Sequence, residues 1–234
     1  MCGRYTLSTP GDQVAAVFGL EESVALEPRF NIAPSQRAPV VRLDESGRRE
    51  LVSCRWGFVP HWSDDPESGP RPINARSETV AERSLFRDSF RRRRCLAVAD
   101  GFYEWKATNG AKQPFYFSLP DGEPFAMAGL WDRWGDDGAA LESFAVLTAP
   151  ANREVAAVHD RMPLILAPEV CTVWLEGSQA SLEAAKEILG RRPSDGLLAS
   201  RPVSTRVNSP ANDDPRLVER IEPEDPEAAA PQLF

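Results

Sequence analysis

At 234 residues and 42% apolar content, the chain has enough material for one large domain or two small ones with a real core. No apolar run approaches a membrane span, and no basic-then-apolar signal pattern opens the chain, so the expectation is a soluble, cytoplasmic protein. The formal charge of −8 excludes a uniformly basic surface, yet seven acids against two arginines put −5 of it on residues 211–234. Only −3 remains on residues 1–210, which permits a local basic cleft.

In chain order, Thr9-Pro10-x-Asp12 followed by Val14, Val17 and Phe18 predicts a capped amphipathic helix stopped by Gly19. Residues 26–38 carry two prolines and no period, and predict an extended loop. Pro39 to Leu43 and Leu51 to Arg55 predict a hairpin around Glu45-Ser46-Gly47. The aromatic stretch Trp56 to Trp62 is too broken for a plain strand, and residues 63–72 predict a surface loop. A loop from Asn74 to Thr79 leads into a helix near residues 80–92. The basic run Arg91 to Arg94 closes that helix, where cations suit the dipole, and reads as a solvated helix end ahead of a DNA contact.

Short apolar strands follow at Cys95 to Ala99, Phe102 to Lys106, Pro114 to Leu119, Phe125 to Trp131 and Phe144 to Thr148. Asp100-Gly101 and Asp121-Gly122 supply turns between them. A helical turn at 152–157, a strand from Pro163 to Ala167, helices at 168–175 and 180–189, and a strand at 197–207 complete the order. That order predicts one α+β domain over residues 1–210, with a curved, largely antiparallel, barrel-like sheet flanked by helices. Residues 211–234 predict an acidic, Pro-rich, partly disordered tail.

Four cysteines, Cys2, Cys54, Cys95 and Cys171, contain no Cys-x-x-Cys pair and are joined by only two histidines. That argues against a zinc site and a disulfide framework, and no metal or cofactor is expected. Cys2 follows an initiator Met that is normally clipped before a small residue. The mature terminus would then hold a thiol and an α-amine on adjacent carbons, titrating near ~8.5 and ~8. A 1,2-aminothiol condenses with an aldehyde to an imine, and its sulfur closes a thiazolidine. The plain alternative is a small residue at a frayed end.

Three polar segments stand out further along. Glu104 is the one charge in Gly101-Phe102-Tyr103-Glu104-Trp105, where flanking aromatics would desolvate it toward a general acid/base range. An edge-strand Glu facing water fits the same local pattern. His159-Asp160-Arg161 puts an imidazole, a carboxylate and a guanidinium at the mouth of a strand. Asn74-Ala75-Arg76-Ser77-Glu78 offers an amide, a phosphate-capable Arg and a helix-cap Ser.

Together these segments resemble the SRAP (SOS-response-associated peptidase) family of abasic-site-processing proteins. The resemblance rests on MCGRYT at 1–6, RFNIAPSQ at 29–36, WGFVPHW at 56–62 and NARSETV at 74–80. It continues through RCLAVADGFYEW at 94–105, AGLWD at 128–132, HDRMPLIL at 159–166 and VSTRVN at 203–208. It implies a sensor of abasic sites in single-stranded DNA during the DNA damage response. Cys2 would be the covalent nucleophile, giving a thiazolidine DNA–protein crosslink. Glu104 would move protons during ring opening and imine formation. His159 would act on the sugar side, in strand-cleaving elimination or crosslink reversal, and Asn74 would position Cys2 or the opened sugar. Arg4, Arg76 and Arg161 would hold phosphates, and Trp56, Trp62 or Trp105 would stack on bases. The expected state is a monomer in the cytoplasm, nucleoid-associated when bound to DNA. Two other readings stay open: an N-terminal-nucleophile cysteine peptidase, mainly self-processing, and a non-catalytic single-strand binder.

Overall fold

The structure is a computed structural model that describes residues 2–108, 112–136, 140–191 and 193–222. The first half holds β1 (Tyr5–Leu7), α1 (Gly11–Phe18), β2 (Arg29–Ile32), β3 (Arg37–Leu43), β4 (Arg49–Trp56), β5 (Asn74–Arg76) and α2 (Ser84–Arg92). Next come β6 (Arg94–Ala99), β7 (Gly101–Ala107), β8 (Lys112–Ser118), β9 (Phe125–Trp134), β10 (Leu141–Pro150), α3 (Arg153–Ala156), β11 (Arg161–Pro163) and β12 (Ile165–Leu166). The chain then forms α4 (Pro168–Leu175), α5 (Gln179–Leu189), β13 (Ala199–Pro202) and two 3-10 turns at Thr205–Asn208 and Pro215–Val218.

The strands build two sheets. One runs β13-β8-β7-β1-β2, antiparallel throughout. The other runs β11-β10-β4-β3-β6-β9-β12, and because β10 also pairs with β9, five of its strands close into a ring. Its parallel contacts are those of β10 with β4 and β5. The α+β expectation with a curved, largely antiparallel sheet holds.

Strand alternation sorts the five-stranded sheet into two faces. Tyr5 lies opposite Phe102, and Phe102 opposite Phe117; these three join the main core beside the ring strands. Tyr103 and Tyr116 point the other way, into a small cluster with Val203, Val207 and Leu217. The C-terminal 3-10 turns therefore cover the outer face. Gly101 is required where β7 begins, since a Cβ there would fall 2.1 Å from the Tyr116 ring.

Some elements differ from the sequence expectations. The loop at 26–38 contains β2, because Ile32 pairs with Tyr5 and gains a buried place at the edge of the sheet. The helix near 80–92 starts only at Ser84, after turns, and the strand at 197–207 stops at Pro202. Asn74 to Arg76 are strand, recruited by β10. Pro10 takes the cap position of α1 without a side-chain bond, because the Thr9 hydroxyl is spent on Asp100 at 3.0 Å. Past residue 211 the chain still packs: Leu217 is buried and Ile221 donates its N–H to Pro202 at 3.0 Å. The rest of the predicted tail, 223–234, lies outside the described residues.

Candidate functional site at the N-terminus

Asp100 anchors the N-terminal strand. It sits where the chain crosses from β6 in one sheet to β7 in the other, and is 6% exposed. Five donors converge on its carboxylate: the Thr6 hydroxyl, and the backbone N–H and hydroxyl of both Ser8 and Thr9. Arg4 pins the other end, donating to Asn31 Oδ1 at 3.1 Å and to the Val207 carbonyl at 2.7 Å. The backbone between these clamps has little freedom. That fixes where Cys2 lies.

Asn74 meets Cys2 from the large sheet. Its strand is held parallel to β10, and its Nδ2 donates to the Cys2 carbonyl at 2.8 Å. Asn74 Oδ1 is buried with no hydrogen-bond partner among the described residues. The Cys2 thiol is fully buried and meets the Arg4 carbonyl at 3.9 Å. Burial, then the negative charge of Glu104, pushes that thiol well above its ordinary range. The resting sulfur is therefore protonated.

Glu104 lies on the inner face of β7, two residues from Phe102, and is 2% exposed. Burial pushes its carboxyl above the usual range, with nearby positive charge, His159 included, working the other way. Of the two sequence alternatives for Glu104, the desolvated carboxylate is the one found. His159 stands after α3, where its Nδ1 lies 3.0 Å from both the Arg161 N–H and an Asp160 oxygen. One nitrogen cannot accept from the first and donate to the second at once. Asp160 is 85% exposed and its attraction is screened by water, so the backbone bond decides. In the neutral ring the proton then sits on Nε2.

Asn74 thus touches Cys2, and Glu104 lies within electrostatic reach of both Cys2 and His159. The other predicted residues divide. Arg76 is exposed on β5, two residues beyond Asn74, and no carboxylate pairs with it among the described residues. Arg161 is occupied: it grips Glu78 with both Nη atoms and donates to the Thr148 carbonyl at 2.6 Å. That bond, ahead of all else, holds the Glu78 carboxyl down to about 2. Trp62 is 55% exposed, and Trp105 is half-buried with its indole N–H on Asn208 Oδ1 at 2.8 Å. Trp56 is fully buried, with its indole N–H on the Ile73 carbonyl at 2.9 Å and its ring against Tyr5. A base cannot reach it without opening the core.

A family model described as SOS response associated peptidase (SRAP) matches residues 1–210. The chain belongs to the SRAP family. It is 35% identical over 224 residues to the abasic site processing protein YoqW of Bacillus subtilis, covering 94% of this chain and 99% of that one. Identity to the abasic site processing protein YedK of Escherichia coli is 30%, over 94% of this chain and all of YedK. Identity to the abasic site processing protein HMCES of Xenopus tropicalis is 31%, over 86% of this chain and 68% of HMCES. A crystal structure of a Bacteroides thetaiotaomicron protein superposes with a TM-score of 0.81 at 26% identity, covering 94% of this chain and all of that one.

The candidate site also draws on residues the sequence did not single out. Asp100 read as a turn residue, because nothing local shows that Thr6, Ser8 and Thr9 converge on it. Asn31, which steadies Arg4 and donates to the Val207, Ser209 and Asn212 carbonyls, was hidden inside a stretch read as loop. Glu78 stands in the sequence only as the end of the Asn74-to-Glu78 segment. Among the described residues no three His, Cys, Asp or Glu side chains gather as a metal site would require, and no helix is long and apolar enough to cross a membrane.

Proposed function

We propose that this chain processes abasic sites in single-stranded DNA, capturing the opened sugar covalently at Cys2 once Met1 is removed. The observation that carries the reading is the meeting of Asn74 and Glu104 at the chain's first residues. The names of the SRAP relatives support the coarser part of this reading, abasic-site processing. In the first step the Cys2 amine adds to the C1′ aldehyde and water leaves, giving an imine. The sulfur then bonds to C1′, the imine π electrons pass to nitrogen, and the thiol proton moves to that nitrogen. The net change is aldehyde plus aminothiol to thiazolidine plus one water.

Because the resting sulfur is protonated, ring closure needs a group to take and return that proton. Glu104 is suited to this: its raised affinity for protons lets it exchange them nearer neutrality than an exposed carboxylate would. Asn74 holds the Cys2 backbone so that amine and thiol face one carbon. His159, with its proton on Nε2, serves elimination or release on the sugar side. Arg76 takes the first phosphate, Arg161 joins when a phosphate displaces Glu78, and Trp105 and Trp62 offer surfaces for bases. The protein acts as a monomer in the cytoplasm and on the nucleoid. Residues 1–210 carry the site, and the segment that follows supports it through Asn212, Asp213 and Leu217.

A denaturing gel of the mature protein mixed with an abasic single-stranded oligonucleotide tests the reading. A heat-stable shifted band is expected with the wild type and absent with Cys2→Ser. Salt-sensitive binding without any shifted band would favour a non-catalytic binder, and turnover of peptide substrates would favour a peptidase.

A further inference from the structure

The turn that carries Trp62 holds a polar cluster to which the chemistry above gives no task. Trp62 is one of two large apolar side chains left exposed among the described residues. The backbone beneath it is held from several sides. Val59 N–H donates to Ser143 Oγ at 2.8 Å, His61 N–H to Asp132 Oδ2 at 3.0 Å, and the Trp134 indole N–H to the Ser63 carbonyl at 2.6 Å. Ser63 N–H closes the turn onto the Pro60 carbonyl at 3.0 Å. An exposed ring on a backbone fixed in this way loses little further freedom when a base stacks on it.

Asp132 organises two cationic side chains at that turn. It is 1% exposed on β9, and both its oxygens are occupied. Besides the His61 N–H, Oδ2 meets His61 Nδ1 at 3.0 Å and the Ser89 hydroxyl at 3.2 Å. Oδ1 meets Arg93 Nη1 at 2.9 Å and the Arg133 N–H at 2.9 Å. Arg93 Nη1 also lies 3.5 Å from His61 Nδ1, which cannot accept from it while donating to Asp132. The contact with the buried carboxylate is the shorter, so Nδ1 keeps its proton and Nε2 is bare in the neutral ring. A second proton, taken up at Nε2, makes that nitrogen a donor and the ring a cation. Asp132 favours this charge and Arg93 opposes it, and a phosphate oxygen placed against both would reverse the opposition. The His61 and Arg93 side chains are 41% and 32% exposed, open enough for a phosphate to reach. Asp132 uses one corner of a guanidinium that carries five N–H donors.

We infer that His61 and Arg93 form a phosphate subsite for single-stranded DNA, with the adjoining base stacked on Trp62 and one proton taken up by His61 on binding. This rests on the DNA-binding part of the reading above, and does not need the covalent step. Asp132 lies opposite Ser143 on β10, five residues before Thr148, which pairs with Arg76. That separation is about 17 Å of strand, so the subsite engages a phosphate a few nucleotides from the lesion.

Fluorescence anisotropy with a single-stranded oligonucleotide carrying a tetrahydrofuran abasic analogue tests the subsite, because the analogue has no aldehyde and binds without crosslinking. His61→Asn keeps an N–H for Asp132 but cannot become a cation. Wild type should bind about fivefold more tightly than His61→Asn at pH 6 and about equally at pH 8. At pH 6 its salt dependence should be steeper by about one phosphate contact. His159, the chain's other histidine, is present in both proteins and cancels from the ratio. On an oligonucleotide cut back to the lesion and its two neighbours, the two proteins should bind alike at both pH values. Equal affinities at pH 6 on the longer oligonucleotide, with His61→Asn folded, would overturn the inference and leave His61 as a tie for the turn. If His61→Asn does not fold, neutral methylphosphonates walked along the oligonucleotide decide with wild type alone. One position beyond the lesion's neighbours must then cost more affinity at pH 6 than at pH 8, and no such position would overturn the subsite. A wild type that shows this pH dependence yet forms no crosslink on a true abasic oligonucleotide would sink the capture of the sugar and leave the subsite standing.

Discussion

Asp100 and Glu104 are four residues apart, both are buried carboxylates, and they occupy opposite situations. Asp100 is surrounded by hydroxyls and N–H groups from Thr6, Ser8 and Thr9, which satisfy its charge and tie down the N-terminal strand. Glu104 is enclosed near Phe102 and Phe115, and burial, the largest influence on it, raises its affinity for protons against nearby positive charge. A carboxylate saturated with donors serves as scaffold; one dominated by burial has a raised affinity for protons. The difference comes from the partner strand. β1 brings polar Thr6 and the start of its following turn to Asp100, and aromatic Tyr5 to the inner face that Glu104 shares.

Breaking the scaffold carboxylate should have the largest effect. Asp100→Ala would leave buried donors of Thr6, Ser8 and Thr9 unmatched, costing about 3–5 kcal/mol. The thermal midpoint should fall by about 10 °C, and crosslinking should be lost with the order of the first residues. A calorimetric scan showing less than a couple of degrees of change would mean Asp100 is not the anchor.

Glu104→Gln should separate chemistry from stability. Crosslink formation should slow about a hundredfold, as expected for removal of a general acid/base, with DNA affinity nearly unchanged. Its stability effect has a defined sign. The folded-state affinity of Glu104 for protons is raised, so its favourable contribution is complete at acid pH and is lost as pH rises through the shifted range. The glutamine variant should therefore be more stable than wild type at pH 8, with the gap closing toward pH 4. Denaturant titrations at the two pH values check this, and a gap that widens toward acid would reverse the assignment.

Smaller effects are expected at the charged rim. Arg76→Ala should weaken binding to abasic single strands about three- to tenfold at low salt and make the salt dependence shallower by about one phosphate contact. An unchanged slope would remove Arg76 from the phosphate-binding set. Glu78→Gln should act in the opposite direction. By releasing Arg161 from its paired carboxylate it should tighten binding about two- to fivefold, measured by fluorescence anisotropy; weaker binding would show that Glu78 positions Arg161 for DNA.

Much of this was legible from spacing. The hairpin of β3 and β4, the strands β6 to β10 and helices α4 and α5 follow from apolar period and turn residues, within a few positions. Glu104 stood out because a lone charge among aromatics has few places to go. What escaped were properties of assembled strands. Asp100 needs β1 beside it before it is anything but a turn residue. Trp56 carries the same aromatic signal as Trp62, and only the closure of the sheets puts one in the core and the other 55% exposed. Arg161 and Glu78 lie 83 residues apart, and no local pattern announces their pairing. The −8 charge said nothing about which arginines are paired with carboxylates.

The central claim is that the amine and thiol of one residue, Cys2, capture the aldehyde together. Intact-mass spectrometry of the mature protein after incubation with an abasic oligonucleotide tests it most directly, beside a version that retains Met1. The account predicts a species at the summed mass of protein and DNA less one water, formed only when Cys2 is the free terminus. An adduct of equal yield on the Met1-bearing protein, or none on either, would contradict it.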